Sequence, residues 1–295
     1  MRSLLEHRVE LTLPPRAVGV TTDRRVRARV RVPAESAPYV LMVPGYLASM
    51  DWAFIPALEQ GLNVAGLATA VVTVSGSGFG EDSSAVTELE AFGHDTYEQQ
   101  LEDLAALDGH LGAGEVPGLD LERRAIWGHS RGSAMALLHA AETGGYRALC
   151  TWATVARVGR YDPHRITEWE SQGYIEIPTA SGQRLRLYDD IYRDYTENAE
   201  RYDLDEASVR FGGPALFVHG MRDRAVAPAE AQSFAERFGD DGFGGPLGAG
   251  ARFFGVDDVG HNFGTRHPLR DVGPGLASAI EASVNFLVSE LNSST

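Results

Sequence analysis

In "WGHSRGSAM", residues 127–135, Ser130 stands between Gly128 and Gly132 in the spacing G-x-S-x-G. A serine hydroxyl attacks an acyl carbon usefully only when a base takes its proton and an acid orients that base. Glycine is common here, 33 of 295 residues, so the spacing acquires meaning only from its surroundings. Those surroundings are "RRAIWGHSRGSAMALLHAAE": an apolar run, the serine, then an amphipathic helical pattern. A strand turning sharply into a helix leaves no room for Cβ groups at the turn, and the two glycines meet that need. The helix start beneath Ser130 also offers unpaired N–H groups to developing negative charge. A serine that merely capped the helix would not require both glycines.

Candidates for the base and the acid lie downstream. "ALFVHGMRDRAVAP" reads as a strand, a turn carrying Asp223 and a helix start marked by proline. "RFFGVDDVGHNFG" follows the last apolar run and sets His261 between Gly260 and Gly264. Both are expected just past the carboxyl ends of strands, where open α/β sheets bind ligands. The chain order serine, acid, histidine is the one used by nucleophiles on a strand-turn-helix. Asp257 and Asp258 compete for the acid's role through nearness to His261 in sequence, and Asp223 is preferred. A metal cluster of Asp257, Asp258, His261 and His267 is the other reading, but the serine arrangement already accounts for His261, so no metal is expected. His129 and His219 sit at strand ends and read as packed or hydrogen-bonded.

The elements that must hold these groups alternate. "YVLMV" (39–43), "LATAVVTV" (67–74), "RAIWG" (124–128), "ALCTWATV" (148–155), "ALFVHG" (215–220) and "RFFGV" (252–256) are short, nearly continuous apolar runs. Such runs suit strands buried on both faces of a parallel sheet. Helical patterns separate them, which implies an α/β fold: a mostly parallel central sheet with helices on both faces. Upstream, "RVELTLP" and "RRVRARVRVP" alternate with period two, as antiparallel strands exposed on one face do, and are expected at the sheet's first edge.

Residues 159–208 are too long for a simple connection. "YIEIPTASGQRLRL" predicts a hairpin, and "YDDIYRDYTENAERY" a helix with Tyr188, Tyr192, Tyr195 and Tyr202 on one face. This segment is expected to be a cap inserted into a single domain spanning 1–295, with Tyr161, Trp169, Tyr174, Tyr188 and Tyr192 as candidates to line an apolar pocket. "SGSGFGED" (75–82) fails G-x-G-x-x-G because Glu81 occupies the last position; it is expected to be a loop at the substrate mouth. "GDDGFGGPLGAGA" (239–251) reads as a flexible surface loop.

Composition removes several classes. All 26 basic residues are arginine and none is lysine, so Schiff-base chemistry, pyridoxal-phosphate attachment and a P-loop are excluded. A net charge of −15 argues against nucleic acid or an anionic membrane as partner. Cys150 is the sole cysteine, so neither an internal disulfide nor a thiolate cluster forms. The start, "MRSLLEHRVELTLPPR", has no apolar leader core and no run is long enough to span a membrane, so a cytoplasmic location is expected.

Carried by "GHSRG", "HGMRDRAVAP" and "GHNFG", the sequence resembles the α/β-hydrolase superfamily over roughly residues 38–292. It looks most like bacterial serine hydrolases of the dienelactone-hydrolase and prolyl-oligopeptidase-like kind. The resemblance implies Ser130 as nucleophile, Asp223 as orienting acid and His261 as general base. It also implies that "VPGYLASMDW" is the oxyanion loop, the N–H of Tyr46 acting with that of Arg131, although Pro44 precedes Gly45 where histidine is usual. Dienelactone hydrolases proper carry cysteine where this chain has Ser130, so the fold carries over and that substrate does not. The expected activity is hydrolysis of a small-molecule carboxylic ester through an acyl-enzyme, without cofactor. A peptidase, or a thioesterase or acyltransferase, would use the same residues. A non-catalytic ligand-binding relative would have no need of all three.

Overall fold

The computed structural model describes residues 4–16, 20–179, 181–239 and 250–293, so the glycine-rich stretch expected as a surface loop falls almost wholly outside it. The described residues form ten strands: β1 Leu5–Leu13, β2 Arg24–Val32, β3 Ala37–Val43, β4 Ala68–Thr73, β5 Leu119–His129, β6 Tyr146–Trp152, β7 Tyr174–Pro178, β8 Arg184–Tyr188, β9 Ala215–Gly220 and β10 Ala251–Val256. Eight of them form one sheet in the order β1-β2-β4-β3-β5-β6-β9-β10. β1 and β2 run antiparallel at one edge, and the other six are mutually parallel.

The helices are α1 Ile55–Val64, α2 Leu89–Gly93, α3 Tyr97–Gly112, α4 Arg131–Thr143, α5 Pro163–Gln172, α6 Asp190–Glu197, α7 Leu204–Phe211, α8 Pro228–Arg237 and α9 Pro274–Asn292. Alternation along a strand sends neighbouring side chains to opposite faces, and β5 shows the result. Ile126 joins one apolar layer with Leu104 of α3, Met135 of α4 and Phe234 of α8. Trp127 joins the other with Leu58 of α1 and Leu287 of α9. Burial on both faces explains why β3 reads as an unbroken apolar run, every residue of it buried. Cys150 lies within the second layer, where burial pushes its thiol up to about 12.

Of the arginines of β2, Arg25 faces solvent as the alternating pattern suggests, but Arg24, Arg27 and Arg29 are buried. Arg29 and Glu59 of α1 are both buried and meet at 2.7 Å, and Arg31 reaches the same carboxylate at 2.8 Å. Arg27 pairs with Glu10 and Glu88. Period-two alternation gives the two faces of a strand but not what covers each, and here ion pairs fill the polar face.

Between β6 and β9 the chain makes α5, the β7–β8 hairpin, α6 and α7. The expected helical row of four tyrosines is not formed. Tyr188 ends β8, α6 begins at Asp190 and closes at Glu197, and Tyr202 lies beyond it, so only Tyr192 and Tyr195 share the helix. Among the described residues no helix is long and apolar enough to cross a membrane.

Candidate active site

β5 ends at His129, and α4 begins one residue past Ser130, so Ser130 is the whole turn. Its backbone has φ 53° and ψ −123°, a strained conformation for a residue with a side chain and one that persists where the surroundings impose it. Packing around the turn supplies that imposition. A Cβ on Gly132 would lie 2.3 Å from the carbonyl oxygens of Val43 and Pro44, and one on Gly128 would lie 2.3 Å from the carbonyl oxygen of Gly132. The Ser130 N–H is tied to Trp152 O at 2.9 Å, and Ser130 O accepts from the Ser133 hydroxyl at 2.6 Å.

His261 follows β10 and Asp223 follows β9, both at the carboxyl ends of their strands. His261 Nε2 is 3.0 Å from Ser130 Oγ, and His261 Nδ1 is 2.8 Å from Asp223 Oδ2. That geometry fixes Nδ1 as the protonated nitrogen and leaves Nε2 free to accept from the serine hydroxyl. Asp223 Oδ1 accepts from the N–H groups of Ala225 at 2.8 Å and Val226 at 3.0 Å. Its Oδ2 is also 3.3 Å from Nε2 of the fully buried His219. Burial alone would raise the Asp223 pKa. The contacts from His219 and His261 and the Val226 N–H outweigh it and hold the carboxyl well below the ordinary carboxylate range.

The competing carboxylate is engaged elsewhere: Asp258 pairs with Arg222, both exposed. His267 accepts from the Ala53 N–H at 3.1 Å and stacks on Trp52, away from the serine. Among the described residues no three histidine, cysteine or acidic side chains converge as a metal site.

The loop after β3 lies against the turn, since a Cβ on Gly45 would come within 2.9 Å of His129 Nδ1 and 3.3 Å of Ser130 Cβ. Tyr46 and Arg131 thus flank the serine, and neither backbone N–H has an acceptor among the described hydrogen bonds. Two free donors beside a nucleophile suit the oxygen of a tetrahedral intermediate. His129, buried behind Ser130, has its Nε2 3.1 Å from His261 O. Burial, and then its neighbour His261, push its pKa down to about 3, so the ring is neutral and donates to that carbonyl.

Ser130 and His261 open into a cavity of about 320 Å³, lined also by Tyr46, Arg131, Tyr97 and Tyr161. Val155, Val158, Ala225 and Val226 supply apolar wall, and Arg160 a second guanidinium. Of the pocket candidates in the inserted segment, Tyr161 lines the cavity, and Trp169, Tyr174, Tyr188 and Tyr192 do not. Trp169 donates to Leu187 O at 2.9 Å and stacks on Tyr192, and both pack edge-on behind Tyr161. Tyr188 stacks on His94, and Tyr174 packs on Tyr188 and under Arg186. Their faces are spent on each other, so they support the wall rather than form it. Residues 75–82 are likewise not at the mouth. Asp103 accepts from the N–H and hydroxyl of Ser75, each at 2.7 Å, and Phe79 O accepts from Arg27 at 3.1 Å.

Tyr97 and Arg160 belong to the cavity without any local signal in the sequence. Tyr97 is the first residue of α3, capped by Thr96, and looks like any aromatic on an amphipathic face.

A family model described as "Prolyl oligopeptidase family" matches residues 59–265, a stretch that holds Ser130, Asp223 and His261 together. The chain belongs to the prolyl oligopeptidase family. It is accordingly an enzyme of the serine-hydrolase type with the α/β-hydrolase fold. The same architecture is found in Est1E from Butyrivibrio proteoclasticus (TM-score 0.63, 17% identity, covering 96% of this chain and 99% of that one). A cold-adapted esterase from an Arctic intertidal metagenomic library matches with TM-score 0.61 and 16% identity over 98% of this chain and 95% of that one. The monoacylglycerol lipase of Paleococcus ferrophilus matches with TM-score 0.61 and 13% identity over 98% and 99%. No curated protein matches the sequence.

Proposed function

We propose that this member of the prolyl oligopeptidase family cleaves a small carboxylic ester through an acyl-enzyme on Ser130. The observation that carries the reading is the unbroken relay from Ser130 Oγ through His261 to Asp223, at 3.0 and 2.8 Å, opening into a cavity of about 320 Å³. A volume near the lower end of the range for ligand pockets suits a small molecule better than a peptide chain. The names of the structurally similar esterase and lipase agree with that choice.

In this reading Ser130 Oγ bonds to the ester carbonyl carbon as its proton passes to His261 Nε2. The carbonyl oxygen, now carrying the negative charge, is received by the N–H groups of Tyr46 and Arg131. The C–O bond to the alcohol breaks, and the alcohol leaves with the proton from His261. Water then gives a proton to His261 and its oxygen to the acyl carbon, and Ser130 leaves with that proton as the acid is released. Asp223 keeps the imidazole in the required tautomer and stabilises its charged form. Every proton has a carrier within the three residues, so the reaction as drawn calls on no metal or cofactor.

A fluorophosphonate probe tests the assignment directly. It should label Ser130, and Ser130→Ala should abolish labelling and lower kcat on p-nitrophenyl esters by about 10⁴–10⁶. Labelling that persists in the alanine variant would sink the assignment. Turnover of short peptide amides at a kcat/KM above that of any ester would move the reading to a peptidase.

A further inference from the structure

We propose that the ester held in the cavity carries a second, ionised carboxylate, received by the Arg131 side chain. The inference rests on the ester reading and adds a substrate class to it. Its starting point is a local reversal of charge. The chain carries −15 overall, yet among the described residues the charged side chains lining this cavity are Arg131 and Arg160, with no aspartate or glutamate.

Arg131 is also under-used by the protein. Its guanidinium lies over the rings of Tyr46 at 4.0 Å and Tyr97 at 5.4 Å, which occupies its faces and leaves its N–H edge. Of the five N–H donors a guanidinium presents, the described residues engage one, Nη1 to Asp95 Oδ2 at 3.2 Å. That oxygen already takes a shorter bond, 2.7 Å, from Gln100. Asp95 is Arg131's one ion-pair partner among the described residues and meets a single nitrogen of it, while burial pushes its carboxyl up to about 6 in spite of Arg131. The Tyr46 hydroxyl, in the same cavity wall, is buried with no partner among the described residues.

Spare donors on a half-enclosed guanidinium are costly unless an acceptor arrives. A carboxylate satisfies two of them at once in the fork geometry that arginine favours. The backbone N–H of Arg131 faces the reacting carbonyl in the proposed reaction, so one residue reads both ends of a short half-ester.

The test uses two pairs of esters, each an acid and its methyl-capped twin: mono-p-nitrophenyl adipate, with the charge on the acyl side, and para-acetoxybenzoate, with the charge on the alcohol side. The wild type should favour the acid of at least one pair by about tenfold or more in kcat/KM, and the pair that responds tells which side the carboxylate occupies. That ratio should fall to about one in Arg131→Met and be partly restored in Arg131→Lys. Hydrolysis of the neutral twins, lost in Ser130→Ala, reports on the ester reading by itself. Binding gives a readout without turnover: monomethyl adipate should raise the Tm of Ser130→Ala and leave that of Ser130→Ala/Arg131→Met unmoved. Equal rates within both pairs, or the same Tm shift in both proteins, would overturn the proposal and leave Arg131 as a cation packed between two tyrosines.

Discussion

The ring of His129 donates from Nε2 to the main-chain carbonyl of His261 across 3.1 Å, so the residue before Ser130 holds the loop that carries His261. The ring is buried and neutral, its pKa pushed down to about 3. The ring therefore stays neutral, and the bond keeps its direction, at pH well above that value. His129 is a positioning residue, acting on chemistry through the backbone of its neighbour.

From this it follows that His129→Phe, which keeps a buried ring and removes the donor, should lower kcat by about 10–100-fold, as misplacement of a catalytic group by a fraction of an ångström does. KM should change little, since His129 does not line the cavity. Steady-state kinetics on one ester separate the two constants. A rise in KM at unchanged kcat would contradict the positioning role.

Asp223→Asn should lower kcat by about 10⁴, because asparagine favours the wrong imidazole tautomer. Asp258→Asn should be nearly silent, as among the described residues its carboxylate meets just the exposed Arg222. The same substitution has a signature in stability. The folded pKa of Asp223 lies below its ordinary value of 3.8. Its stabilising contribution is therefore complete above that value and is lost as pH falls below about 4. Thermal melts should show wild type above Asp223→Asn at neutral pH, with the gap closing as pH is lowered from about 4 towards 2. A gap independent of pH would mean that the carboxylate charge is not what the fold uses.

Two aromatic residues of the inserted segment should respond oppositely. Trp169 is only 3% exposed and bonded to Leu187 O, so Trp169→Ala should cost about 3–5 kcal/mol of stability and leave the ranking of esters by acyl length intact. Tyr161 lines the cavity with its hydroxyl 2.7 Å from that of Tyr97, and Tyr161→Ala should reorder the ranking. Melting curves and kcat/KM over one acyl series decide both.

That Ser130, Asp223 and His261 would come together is legible because each sits at a strand end marked by local chemistry. The glycines around Ser130 are demanded by backbone contacts under 3 Å, and such demands leave a mark in sequence. The cavity wall is different. Tyr97 and Arg160 reach it through the packing of separate elements, and nothing in their immediate neighbours records that. The tyrosine row is absent for a related reason: it would need one period across the junction of β8 and α6, where the chain changes from a repeat of two to one of 3.6. The alternation of β2 shows the strand, but the cover of its arginines, Glu59 of α1 and the carboxylates nearby, comes from other parts of the chain.

The strand that delivers His261 is also the last of the sheet in chain order: among the described residues β10 pairs with β9 alone, at the edge. Ser130 is in place as soon as β5 and β6 are paired, well before that strand leaves the ribosome. During synthesis, when domains order from the amino end, the chain thus passes through a stage with a sheet and a serine but no proton acceptor. If the proposed reaction is right, turnover appears only once that strand has docked.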